Sequence, residues 1–233
     1  MLYLIGLGLN EKGISQQGLE AVKKCDKVYL ENYTVDFPYS EKEFEIVIGK
    51  KITPADREKV EGLSLIDEAK KENIALLVYG SPLTATTHIT LIEECKKRKI
   101  KYEIIYNGSV LDAIAETGLQ IYKFGKIASM PNFKADSFIE IIKDNQKINA
   151  HSLILIDIGL KFQEAIERLE NVSKEHKVKI EKLIVCERLG TDKSKVYYDN
   201  LKRLKSKNIK APFCFIIPEK LHFMEEEILK NFC

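Results

Sequence analysis

The sequence predicts an α/β protein made of two α/β domains with mostly parallel sheets. Three observations carry that expectation. Short apolar runs recur along the chain, segments of helical spacing separate most of them, and the richest runs are apolar at nearly every position. Alternating β and α units pack as parallel sheets covered by helices. A strand buried on both faces reads as one continuous apolar run rather than as an alternation.

Strands are expected at 2–7, 27–30, 74–78, 102–106, 152–156, 183–186 and 213–217, with 74–78 and 152–156 the most uniformly apolar. Helices are expected over 89–98, 135–143 and 161–169, where apolar residues recur at three- and four-residue spacing. Thr53-Pro-Ala-Asp56 reads as a helix start, with a cap, proline at the first helical position and an acid near the third. Gly118, Gly125 and Pro131 then interrupt the patterning. The chain is divided there into an N-terminal α/β domain, 1–112, and a C-terminal one, 113–233. A cleft between the two is the expected ligand and active site.

Composition narrows the function. The 233 residues are 45% hydrophobic, enough for a substantial core, and no apolar run approaches the roughly 18 residues of a spanning helix. A soluble, cytoplasmic protein is expected, with no membrane partner. The net charge of +2 comes from interleaved lysines and acids, which disfavours direct nucleic-acid binding. Cys25, Cys95, Cys186, Cys214 and Cys233 are odd in number and dispersed, and imply neither disulfides nor a zinc site. No two of the four histidines share a helical face with an acid between them, so no metal is expected.

The motifs gather at strand ends, where open α/β sheets bind their ligands. Tyr79-Gly-Ser-Pro-Leu-Thr-Ala-Thr-Thr-His88 follows the strand at 74–78, and its short side chains admit a ligand close to the backbone. Thr86 or Thr87 caps the next helix on the plainer reading. Gly6-Leu-Gly-Leu-Asn-Glu11 follows the first strand. A dinucleotide fingerprint needs glycine where Glu11 stands, and an acid there repels a pyrophosphate. Asn107-Gly-Ser-Val-Leu111 ends the strand at 102–106, with Ser109 opening a helix that runs to Gly118. Leu9, Ser81 and Ser109 are expected to converge on one crevice. Asp157 ends the strand at 152–156, either capping a turn or acting as a proton acceptor.

Taken together, Ile5-Gly-Leu-Gly-Leu9, Ala21-Val-Lys-Lys-Cys-Asp26, Glu31-Asn-Tyr-Thr34, Ala85-Thr-Thr-His88, Glu116-Thr-Gly-Leu-Gln-Ile-Tyr-Lys-Phe-Gly-Lys126 and Leu221-His-Phe223 resemble the diphthine synthases, of the tetrapyrrole-methylase class. The likeness runs end to end, and the 116–126 string is its most specific part. It implies a tetrapyrrole-methylase-like homodimer that uses S-adenosylmethionine and releases S-adenosylhomocysteine. The implied reaction trimethylates the amine of a 3-amino-3-carboxypropyl-histidine on elongation factor 2. The donor contacts it implies are Leu9, Thr84, Ser109, Val110, Ile156, Tyr198 and His222. Ser81 stands where relatives carry an aspartate, keeping one hydrogen-bonding oxygen and losing a charge suited to a sulfonium. Tyr33 is a candidate wall for the trimethylated cation. The alternatives are a methyltransferase of the same class acting on a precorrin or ribosomal RNA, or a donor-binding protein without turnover.

Overall fold

Apolar runs become sheet centres because a strand with no polar face is stable only when covered on both sides. The computed structural model describes residues 1–233, which form two compact units, Met1–Asp112 and Ala113–Cys233. No helix is long and apolar enough to cross a membrane.

Unit 1 runs β1 (Leu2–Gly6), α1 (Gln16–Lys23), β2 (Lys27–Glu31), α2 (Glu41–Ile48), β3 (Thr53–Ala55), α3 (Arg57–Glu61), α4 (Ser64–Ala69), β4 (Ile74–Val78), α5 (Ile89–Lys97) and β5 (Tyr102–Ile105). α6 (Val110–Ala113) lies at its boundary. The sheet order is β3-β2-β4-β1-β5, and every pair is parallel. Alternation along β1 and β4 feeds two cores. Leu2, Leu4 and Leu76 pack with Leu91 and Cys95 of α5, whereas Ile5 and Leu77 pack with Val22 of α1 and Phe44 of α2. All five residues of β4 are buried, and each large apolar side chain so covered contributes about 1.5–3 kcal/mol. α1 starts where Ser15 accepts from Gly18 N, and α2 where Ser40 and Glu43 form a reciprocal capping box.

The expected helix start at Thr53 is corrected by the structure. Thr53–Ala55 is a strand paired with β2, and the cap is Asp56, which accepts from Lys59 N at 2.8 Å. Pro54 is tolerated because β3 is the sheet edge, where a missing donor faces away from the ladder.

Unit 2 contains β6 (Ala128–Met130), α7 (Ser137–Lys147), β7 (Ser152–Ile156), α8 (Phe162–Glu175), β8 (Leu183–Glu187), β9 (Lys195–Asp199), α9 (Leu201–Leu204), β10 (Phe213–Ile217) and α10 (Phe223–Leu229). Its sheet order is β6-β7-β10-β8-β9. Only β6 and β7 are parallel, and the other three pairs are antiparallel. Mostly parallel pairing therefore describes unit 1 and not this sheet. An apolar strand core records burial but carries no mark of its neighbour's direction.

The 116–126 string folds as two 3-10 turns, Ile114–Thr117 and Ile121–Lys123, pinned from within unit 2. Glu225, fully buried in α10, accepts from Gln120 N at 2.9 Å and His222 N at 2.7 Å, and also meets Lys123 Nζ and His151 Nε2. Asn145 clasps Lys126, accepting from its N–H at 2.9 Å and donating to its carbonyl at 2.8 Å. A Cβ on Gly125 would sit 2.2 Å from Asn145 Oδ1, so this tight clasp requires glycine. Gly118 has φ +80° and faces Ile228 at 2.5 Å by the same measure.

Candidate functional site

β4, β1 and β5 are neighbours in the sheet, so their carboxyl ends lie side by side. The connection leaving β1 (α1) and that leaving β4 (α5) cover opposite faces, the arrangement at which open α/β sheets bind ligands. Backbone hydrogen bonds draw the loops together: Gly8 N donates to Gly80 O at 3.1 Å, and Gly80 N to Gly8 O at 2.9 Å. Both glycines have positive φ, +70° and +69°. A Cβ on Gly6 would come within 2.7 Å of Gly80 O and 2.9 Å of Pro82 Cδ, so contact between these loops demands glycine there.

Leu9, Ser81 and Ser109, the three strand-end residues singled out from the sequence, are thus on adjacent loops of unit 1. Leu9 is held by Tyr79, whose hydroxyl donates to its carbonyl at 3.0 Å. Ser81 is half-buried, and Thr84 closes the turn by donating its N–H to Ser81 O at 3.2 Å. Ser109 is buried and caps α6: its hydroxyl accepts from Leu111 N, while its N–H donates to Asp112 Oδ2 at 2.6 Å. Val110 is the first residue of α6, which gives way after Ala113 to the first 3-10 turn rather than running as one helix to Gly118.

Asn107 had no role in the sequence reading, yet it ties the site together. Its Nδ2 donates to Gly6 O at 3.1 Å and Gly13 O at 2.8 Å, and its Oδ1 accepts from Gly108 N at 2.8 Å. No local spacing would have found it, because Gly6 and Gly13 lie about a hundred residues away.

Neither Thr86 nor Thr87 caps α5. The cap position is His88, without a side-chain cap bond, and Thr86 Oγ1 donates instead to Pro82 O at 2.9 Å. Ala85 takes φ +56°, uncommon for a residue with a Cβ, in the turn before it. His88 is buried, with Nδ1 3.1 Å from Pro82 O and Nε2 3.5 Å from Tyr33 Oη. Arg57 lies over the Tyr33 ring, 5.2 Å from its centroid, so one face expected to meet a methylated cation already holds one. Burial, then the Glu31 and Glu61 carboxylates, push the Tyr33 phenol up to about 12, with Arg57 opposing them.

In unit 2, Tyr198 lies at the sheet end where β10 closes, across Ile184 from Ile216, whereas Ile156 closes β7 at the other end. Ser152 pairs with Ile217 and Leu155 with Cys214, so the chain leaving β10 toward His222 departs at the sheet end opposite Ile156. Tyr198 lies in β9, three strand spacings or about 14 Å from β7, paired with Ile184 and beneath Lys182 Nζ at 4.3 Å. His222 is the N-cap of α10, its ring nitrogen accepting from Met224 N at 3.4 Å. Asp157 is a turn residue here. Its two carboxylate oxygens accept from Asn132 N at 3.2 Å and Ile158 N at 3.0 Å.

Small residues line the loops at these strand ends. Where a Cβ of Gly108 would stand, nothing lies within 4 Å, a space that the missing side chain leaves beside Ser109. The positive-φ glycines let the two loop backbones meet each other.

The family described as Tetrapyrrole (Corrin/Porphyrin) Methylases matches residues 1–205. A diphthine synthase of Methanococcus maripaludis is 40% identical, over 99% of this chain and 98% of its own. A diphthine methyl ester synthase of Saccharomyces cerevisiae is 46% identical, over 72% of this chain and 59% of its own. A crystal structure of a diphthine synthase superposes with a TM-score of 0.91 at 34% identity, covering 100% of this chain and 95% of that one. The chain belongs to the tetrapyrrole (corrin/porphyrin) methylase family.

Proposed function

We propose that this methyltransferase acts in diphthamide biosynthesis, transferring methyl groups from S-adenosylmethionine to the amine of 3-amino-3-carboxypropyl-histidine on elongation factor 2. The observation that carries the reading is the junction of three small-residue strand ends, at Leu9, Ser81 and Ser109, in a chain matched end to end by diphthine synthases. The residues that would hold the donor are Leu9, Ser81, Thr84, Ser109 and Val110. Ile156, Tyr198 and His222 are proposed on resemblance alone. A cytoplasmic homodimer is part of the same reading.

The donor supplies a methyl group already activated on a positively charged sulfur. The chain's own part is to bind, orient and keep water out, since holding two reactants in line removes much of the entropic barrier. Tyr79 fixes Leu9, Asn107 fixes the loops after β1 and β5, and the Gly8–Gly80 pair fixes the loop after β4. On this reading the site is built before the ligand arrives.

Titration calorimetry is expected to show micromolar binding of S-adenosylmethionine, about −8 kcal/mol. Intact-mass analysis of elongation factor 2 bearing the aminocarboxypropyl group should then show three added methyl groups. A fourth would favour ester formation, the second reading, which the name of the yeast relative supports. Methylation of a factor lacking that group, or efficient methylation of a precorrin instead, would overturn the assignment.

A further inference from the structure

Beyond the strand ends that would hold the donor, unit 1 carries a second cluster on the β2 side of β4. Tyr33 follows β2, Arg57 opens α3 just after β3, and His88 ends the turn after β4. All three come from the carboxyl ends of neighbouring strands. The cluster is tied to the first by Pro82, which follows Ser81 and whose carbonyl meets His88 Nδ1.

Its hydrogen bonding assigns the histidine's tautomer. A carbonyl oxygen only accepts, so in the neutral ring Nδ1 carries the proton and Nε2 presents a bare lone pair toward the Tyr33 hydroxyl. Glu31, fully buried, fixes the loop by accepting from Tyr33 N at 3.1 Å and Thr34 Oγ1 at 2.7 Å. Arg57 lies over the Tyr33 ring, is exposed, and forms no salt bridge within the chain. An unpaired guanidinium beside a phenol–imidazole pair matches the head of an amino acid, with a carboxylate for the one and an ammonium for the other.

We propose that Arg57, Tyr33 and His88 form the acceptor side of the methyl-transfer site, Arg57 taking the acceptor's carboxylate and the Tyr33–His88 pair removing the proton from its ammonium. This rests on the function proposed above. The ammonium proton passes to Tyr33 Oη as the phenol's own proton passes to His88 Nε2. The freed nitrogen lone pair then forms the C–N bond while the C–S bond of the sulfonium donor breaks, its electron pair staying on sulfur as a neutral thioether. The buried imidazolium passes its proton back by way of Tyr33 to solvent. Each further methylation of the same nitrogen needs one more such proton removal. Tyr33 is the group that touches the acceptor, and His88 acts through it as a positioning and relay residue.

The test measures methyl transfer by the full chain to elongation factor 2 carrying the aminocarboxypropyl group, from about pH 6 to about pH 10, for wild type, Tyr33→Phe, His88→Gln and Arg57→Gln. The charged groups facing the phenol are Glu31, Glu61 and Arg57, and the titratable neighbour is His88. Tyr33→Phe and His88→Gln should lower kcat about 10²-fold near neutrality, with the loss shrinking at high pH as free amine forms unaided. Arg57→Gln should raise KM with a smaller change in kcat. Calorimetry with S-adenosylhomocysteine should be unchanged in all three. If His88→Gln melts early, His88→Asn keeps a donor for Pro82 O, and Tyr33→Phe decides alone if neither folds. An active wild type whose variants lose nothing, or lose equally at every pH, overturns the proposal. An inactive wild type overturns the function proposed above instead.

Discussion

His88 and His151 are both buried, one in each unit, and only one of them has chemistry left over. His151 uses both ring nitrogens: Nδ1 accepts from Glu219 N at 2.9 Å, and Nε2 donates to Glu225 at 3.3 Å. Glu225 in turn meets two backbone amides and Lys123. His88 satisfies one nitrogen on a carbonyl and leaves the other facing a phenol at 3.5 Å. A saturated buried network rigidifies, whereas a partly used one holds capacity for a proton. The difference separates a staple from a site, though the two share residue types.

The largest expected effect comes from breaking the staple. Glu225→Gln should destabilise the chain by about 3–5 kcal/mol in urea denaturation, as removal of one partner from a buried charged pair does. A loss below about 1 kcal/mol would show that the network is not saturated. The pH dependence is distinctive too. Burial alone would raise the Glu225 carboxyl, but the Gln120 and His222 amides, Lys123 and His151 hold it down to about 2. Its folded pKa is depressed, so its contribution is complete above the unfolded value of 4.5 and disappears as pH falls toward about 2. Burial also lowers His151, against the pull of Glu225, so protonation costs further stability as pH drops below 6.5. The Gln variant should flatten the more acidic part of that curve.

Opening the other cluster should cost less. His88→Asn keeps the bond to Pro82 O and loses only the weaker approach to Tyr33, so about 1–2 kcal/mol is expected from thermal unfolding. A loss as large as that of Glu225→Gln would make His88 a second staple and erase the contrast.

The smallest effect sharpens the donor side. Ser81→Asp places a charge at the end of β4 beside Gly80 and should favour S-adenosylmethionine over S-adenosylhomocysteine by up to about tenfold in calorimetry. Equal gains for both ligands would show that position 81 does not sense the sulfonium.

Strand identity was legible where the signal is local. Runs at 74–78, 152–156 and 213–217 coincide with β4, β7 and β10, because a strand covered along most of its length is apolar at nearly every position. β3, β6 and β9 escaped notice: two are only three residues long, all are flanking strands, and Pro54 mimics a helix start. Leu9, Ser81 and Ser109 could be assigned to strand ends from sequence, since turn residues after apolar runs place them there. The pieces of the acceptor cluster were present as strings, but nothing local joins Tyr33 to His88, fifty-five residues on.

By itself, then, the sequence determined which segments are buried, where the small-residue turns fall, and the family to which they belong. Tertiary structure alone decided that the second sheet pairs mostly antiparallel, that Asn107 bridges the loops after β1 and β5, and that β7 and β10 close at opposite ends of their sheet. It also decided which buried histidine is saturated. Burial is written residue by residue in side-chain polarity, whereas partners are set by where distant strands lie down beside one another.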